Sequence, residues 1–196
     1  LPLAYWLATT KRAWRPMVDA AVAVPLLLPP TVLGFYFLVA TGPETLPGRL
    51  YASVFGGTIP FSFIGVLLAS VLYNLPFAVR PFASGFAAVD RRLIEAARCL
   101  GASAPRTFAT VVVPLSWPAV LTGLVLAFAH TVGEFGVVLM VGGNIPGVTR
   151  TIALAIYDDV QALDYAAANQ ASAVLLIFAV SVLAVTYSLQ RRVVPL

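Results

Sequence analysis

Residues 90–114 read DRRLIEAARCLGASAPRTFATVVVP, a polar, arginine-bearing stretch inside an otherwise oily chain. Uncharged runs flank it, residues 20–43 and 50–79 before it and 107–133 and 165–190 around and after it. Each run exceeds the roughly 20 residues a helix needs to cross a ~30 Å hydrocarbon layer. Backbone in lipid must bond to itself, and the runs do not alternate as barrel strands do, so they predict helices. Of 196 residues, 60% are hydrophobic and 10% charged, where a soluble domain carries about 25% charged. The chain is therefore expected to be an all-α, multi-pass membrane protein, with spans over about 17–40, 54–79, 114–141 and 171–190. The opening LPLAYWLA reads as the end of a further apolar segment, which gives about five helices with the first one truncated.

Charge placement gives these spans an orientation. Lys11, Arg12 and Arg15, then Arg80, Arg91, Arg92, Arg98 and Arg106, then Arg191 and Arg192 fall in alternate connections. Only Arg49 and Arg150 fall on the other side, with Glu44, Asp158, Asp159 and Asp164. Basic residues mark the cytoplasmic loops, so the 90–106 segment and the C-terminus are expected inside the cell. The net charge of +4 is thus a matter of topology, with no nucleic-acid footprint. Prolines at 25, 29, 30, 60, 76, 114 and 118 mark kinks or segment ends that neighbouring helices repair. Nothing resembling a linker divides the chain, so a single domain over 1–196 is expected. The one cysteine, Cys99, reads as a small packing residue.

The polar stretch carries its own punctuation. Asp90 is a candidate N-cap, Leu93, Ala96, Ala97 and Leu100 share one helical stripe, Gly101 can end the helix left-handed, and Pro105 prevents continuation. A short amphipathic helix over about 90–103 results. Its apolar stripe could enter a groove on a partner or lie on lipid.

Glu95-Ala96-Ala97, Gly101, Val111 and Val113-Pro114 stand at the spacing of the EAA signature and so resemble the permease subunits of ABC importers. VPLLLPPTVLGFYFL at 24–38, RRLIEAARCLGAS at 91–103 and GEFGVVLMVGGNIPGVTRTIALAIY at 133–157 resemble the molybdate branch, with sulfate and tungstate permeases as near relatives. Val137-Val138 departs from the Ala-Thr often found after GEFG in that branch. The resemblance implies a type I ABC-importer transmembrane helix bundle in a bacterial inner membrane, working as a homodimer. It implies two ABC ATPase subunits docked on Asp90, Glu95, Ala96, Ala97, Leu100 and Gly101, and a molybdate-binding protein outside. ATP and Mg2+ would sit on those partners and no cofactor on this chain. The stretch 149–163 would be an external gate helix.

Candidate ion-path or gate residues are Thr31, Ser62, Thr131, Glu134, Asn144 and Arg150, with Ser70 and Thr122 as further hydroxyls. Hydroxyls and backbone N–H groups hold an anion weakly enough to release it, although each could equally bond a neighbouring helix. Glu134 is an ionisable residue in an apolar run, one turn from His130. Such residues are usually functional, but a carboxylate would repel an oxyanion, so a structural or gating role is expected. Arg150 could meet an anion, an acidic patch on a binding protein, or only water. No paired catalytic acids, metal-ligand set or Gly-x-Ser-x-Gly elbow is visible, so no catalytic site is expected on the chain. An ATPase-independent anion carrier or channel, with Glu134 and His130 as a proton relay, is the alternative of a different class.

Overall fold

The computed structural model describes residues 1–193, and every regular element among them is helical. Contacts divide the chain into two compact units. One comprises residues 1–22, 76–128 and those from Val182 on, and the other comprises 23–75 and 129–181.

The first unit holds α1 (Pro2–Thr9), the start of α2 (Arg15–Leu27), the second part of α5 (Phe63–Ala87), α6 (Arg91–Cys99), α7 (Ala104–Thr107), α8 (Val113–Leu115) and most of α9 (Trp117–Val132). Between α7 and α8 the chain makes a π-helical turn, Phe108–Val112. Pro114 follows at once, and its ring cannot sit against the carbonyl of a regular preceding turn, so the wider turn relieves that clash. At Ser116 the path bends by 77° into α9, which Pro118 opens. Small residues set the packing of α5 on α9. A Cβ at Gly123 would lie 2.6 Å from Phe82 Cε1, one at Gly85 would collide with Ala119, and the Ser116 hydroxyl donates to Gly85 O at 3.1 Å. Tyr5, Phe86 and Phe108 close the unit as an aromatic trio with centroids 4.7–5.9 Å apart.

The second unit holds α3 (Pro30–Thr41), α4 (Leu46–Phe55), the first part of α5, α10 (Gly136–Gly142), α11 (Ile152–Gln161) and most of α12 (Tyr165–Val193). α2 and α3 meet at 116° across Pro29-Pro30, where one proline denies its predecessor a helical conformation and the next opens a new helix. Leu33, Ala69, Val137 and Val141 form one buried cluster, and Val66, Val138 and Leu154 another. Val137 and Val138, where the resemblance expected Ala-Thr, are thus core residues of α10, fully or almost fully buried. α3 and α10 approach closely because Gly34 leaves room for Met140, whose Cβ would otherwise be 2.7 Å from an added methyl. Phe61 holds a positive φ of 59° while its N–H donates to Val141 O at 2.8 Å.

Among the described residues two helices, Phe63–Ala87 and Tyr165–Thr186, are long and apolar enough to cross a bilayer, and up to four crossings result if each bent pair counts as one. The number of helical segments exceeds the expected five or so, within the all-α fold that was expected. The apolar runs are cut into more and shorter pieces, because prolines at 29–30, 114 and 118 and glycines at 133 and 136 break the α-helical hydrogen-bond ladder within them.

Candidate functional site

α6 is closed at both ends by its own residues. Asp90 Oδ1 accepts from Arg92 N at 2.9 Å. Gly101 stands at φ 83°, its N–H donates to Arg98 O at 2.9 Å, and Ala102 N donates to Ala97 O at 3.0 Å. This paired bond is the Schellman arrangement, which needs a residue able to adopt φ > 0 at position 101. No residue of α6 is buried, and Leu100 is 89% and Leu93 48% exposed. Fully covering a leucine stabilises by about 1.5–3 kcal/mol, so this face holds several kcal/mol that the chain's own fold does not use. Glu95 and Ala96 are exposed and Ala97 is half-buried.

A second constellation lies around the α9–α10 break. Glu134 is 5% exposed. Asn74 of α5 donates Nδ2 to Glu134 Oε2 at 3.0 Å and to Ser70 O at 2.9 Å. The Ser70 carbonyl can only accept, which fixes the orientation of the amide. Asn74 Oδ1, 2.9 Å from His130 Nδ1, therefore accepts, and His130 carries its proton at Nδ1. Asn74 thus joins Glu134 to His130, residues expected to interact with each other. Glu134 Oε1 has no hydrogen-bond partner within 3.5 Å among the described residues, although the Ser70 side chain also approaches the carboxylate. A cavity of about 520 Å3 at the break is lined among others by Thr31, Tyr73, His130, Glu134 and Gly136.

The loop between α10 and α11 forms a third. Asn144, at φ 54°, donates Nδ2 to both Asp158 oxygens at 2.9 and 2.8 Å. Arg150 Nη2 lies 3.0 Å from Asp158 Oδ2, and Arg150 Nε donates to Asn144 Oδ1 at 3.1 Å. Thr149 donates its hydroxyl to Gly142 O at 2.7 Å and accepts Ile145 N at 2.9 Å. Thr151 caps α11 by accepting Leu154 N. Arg150 is therefore held by Asp158 and Asn144 and cross-braces the loop onto α11.

Thr31 stands at the cavity, and Ser70 lies in the turn before Asn74. Ser62 instead closes a turn, donating to Ile59 O at 2.7 Å and accepting Gly65 N at 3.1 Å. Thr122 bonds back to Pro118 O at 2.8 Å along its own helix. Thr131 is exposed, and its carbonyl accepts Glu134 N at 3.3 Å. Asn74 and Tyr73 were not singled out from the sequence. The available signal was Asn74 itself, an amide in an uncharged run, which requires partners wherever water is absent.

The whole chain, residues 1–196, matches the family model described as binding-protein-dependent transport system inner membrane component. It is 50% identical over 190 residues to the molybdenum transport system permease protein ModB of Azotobacter vinelandii, covering 97% of this chain and 84% of that one. A ModB of Haemophilus influenzae is 41% identical, over 82% of this chain and 72% of its own length. The probable sulfate transport system permease protein cysT of Chlorella vulgaris is 37% identical, over 89% of this chain and 65% of its own. Among solved structures, a bacterial ABC transporter that imports the acidic polysaccharide alginate superposes with a TM-score of 0.74 at 16% identity, covering 97% of this chain and 72% of that one. The MetNI methionine ABC transporter superposes at 0.70 and 17% identity, covering 98% and 85%. These two likenesses are of fold, and the fold is that of type I ABC-importer transmembrane subunits.

Proposed function

The chain belongs to the inner membrane components of binding-protein-dependent transport systems, and from that membership we propose that it is the permease subunit of an ATP-driven molybdate importer. The observation that carries the ion is the 50% identity to the Azotobacter vinelandii permease across almost the whole chain. The chain is a non-catalytic membrane subunit. In this reading two copies form a homodimer around one path, in the inner membrane, with the C-terminus inside. Two ABC ATPase subunits bind ATP and Mg2+ and grip α6 of each copy through Leu93, Ala96, Ala97 and Leu100, with Asp90 and Gly101 holding the helix ends. Supporting that grip is an apolar face that the fold leaves uncovered on a helix that needs no neighbour to end it.

A binding protein delivers the ion outside. There the braced loop of Asn144, Arg150 and Asp158 offers a stiff surface next to α11 (Ile152–Gln161), which serves as the gate helix in this reading. ATP-driven closure of the ATPases draws the α6 helices together and alternates the path. The decisive experiment is reconstitution with the ATPase and the binding protein in liposomes. Molybdate should enter only with ATP, and tungstate and sulfate should compete less well. Entry without an ATPase would establish the carrier alternative, and a preference for sulfate would reassign the ion.

A further inference from the structure

A second cavity, of about 280 Å3, lies within the first unit and is lined by α1, the start of α2 and the end of α5. Leu7, Val79 and three alanines give it apolar walls, and Arg15, Asp19, Arg80 and Ser84 give it polar groups. Arg15 and Arg80 come from different helices and are exposed. Neither guanidinium makes a hydrogen bond or ion pair among the described residues. Asp19 stands four residues after Arg15 on α2, a spacing at which opposite charges can meet, yet the two form no ion pair. The second observation sets the depth of the cavity. α5 is one of the two helices long and apolar enough to cross a bilayer, and residues 79–87 are its last stretch. Next to the lining residues in sequence, Trp6 and Trp14 stack with centroids 4.6 Å apart, and Arg12 Cζ lies 5.5 Å from the Trp14 ring centre. Tryptophan collects at the headgroup layer, where its ring meets lipid and its N–H meets water. Lys11 and Arg12 add positive charge at the same level.

We propose that this cavity seats the headgroup of an anionic glycerophospholipid, with Arg15 and Arg80 on its phosphodiester and Asp19 and Ser84 on its hydroxyls. The proposal rests on the inner-membrane orientation given above, which turns this end of α5 to the cytoplasmic leaflet. Anionic lipid gives that leaflet a negative surface, and basic pockets between membrane helices bind its headgroups. A guanidinium carries a planar fork of donors that matches a phosphate, and its weak hydration lets it serve beside apolar walls. Leu7, Val79 and the alanines suit the glycerol backbone and the first acyl carbons. Asp19 opposes a second negative charge and can accept a hydroxyl. It therefore favours a singly charged phosphodiester with a glycerol head over a free phosphate dianion. Bound there, the lipid ties α1 and α2 to α5.

The test titrates the complete importer, purified in detergent, with phosphatidylglycerol and reads the retained lipid by native mass spectrometry. The parent should retain phosphatidylglycerol in preference to zwitterionic phosphatidylcholine, and equal retention of the two would overturn the proposal. Arg15→Gln and Arg80→Gln keep most of each side chain's length and remove its charge. Each should weaken retention about fivefold, and the two together about twenty-five-fold. Unchanged retention in the double variant would overturn the site. Arg49→Gln removes the same charge from the other side of the membrane and should stay within about twofold of the parent. A loss there equal to that of Arg80→Gln would mean that net charge alone gathers the lipid, and would also overturn it. Inorganic phosphate in large excess should leave the lipid in place, whereas displacement would assign the cavity to a soluble anion. The readout needs no transport. An importer that moves no oxyanion with ATP would remove the permease reading, while the lipid titration decides this site by itself.

Discussion

The α6 segment and the Asn74–Glu134–His130 bridge are two polar features of an apolar chain, and they are built in opposite ways. Every bond that shapes α6 joins residues five or fewer apart, from Asp90 at its start to Ala102 at its end. The bridge joins residues 56 and 60 apart and draws on two helices and the break after the second. No residue of α6 is buried, while Asn74 and Glu134 are. A helix whose ends are closed by its own residues needs no neighbour for its caps, which suits a part that must take a load from another protein. A buried bridge exists only while the fold exists. Damage to α6 should therefore appear first as lost coupling, and damage to the bridge first as lost stability.

The strongest way to break that contrast is Gly101→Pro. Proline holds φ near −65° and has no N–H, so it can reproduce neither the φ of 83° nor the bond to Arg98 O. The end of α6 should unwind at a local cost of about 3 kcal/mol. ATP-coupled uptake should vanish, while membrane insertion and the thermal unfolding of the isolated permease stay as they were. Uptake in proteoliposomes and size-exclusion of the detergent-extracted protein check the two halves. Normal uptake would refute the docking role of α6.

Next in size is Asn74→Leu, which keeps the branched shape of the side chain and removes both bonds of the bridge. Hydrogen bonds between membrane helices contribute on average only about 0.6 kcal/mol. A buried polar group left without a partner costs about 1–3 kcal/mol. The second figure governs here, because Glu134 Oε1 already lacks a partner within 3.5 Å among the described residues and the substitution strips Oε2 of Asn74 as well. A loss near 2 kcal/mol is expected, read as a lower unfolding temperature, with ATPase co-purification retained. Lost co-purification at unchanged stability would mean that the bridge carries load and α6 does not act alone.

This contrast also explains what could be read from the chain. The course of α6 was legible because Asp90, Gly101 and Pro105 act on their immediate neighbours, and Pro29-Pro30 marked a kink for the same reason, whereas the break at Gly133–Gly136 fell inside a span expected to run over 114–141. Glu134 stood out by its charge alone. That Asn74 would be the residue joining it to His130 depends on how α5 packs beside α9, which no local rule supplies. Arg150 shows the same limit at shorter range. Its partner Asp158 lies eight residues on, across a turn whose path is set by Asn144 at φ 54° and by the Thr149 hydroxyl. Neither helical spacing nor strand alternation brings positions 150 and 158 together.

The gentlest probe is Asp90→Ala. Losing an N-cap costs typically about 1 kcal/mol, and here only one bond is lost, from Arg92 N to Asp90 Oδ1 in an exposed position. Leu93 N still donates to Asp90 O, and the Gly101 end is untouched. The first turn of α6 should fray without unfolding the rest. Coupled uptake should fall by a few fold, about fivefold at most if the full 1 kcal/mol opposes docking. Asp90→Asn, which keeps an accepting oxygen, should restore it. If Asp90→Asn were as poor as Asp90→Ala, the charge of Asp90 would be meeting the ATPase directly. The N-terminal end of α6 would then belong to the contact surface as well as to the helix that presents it.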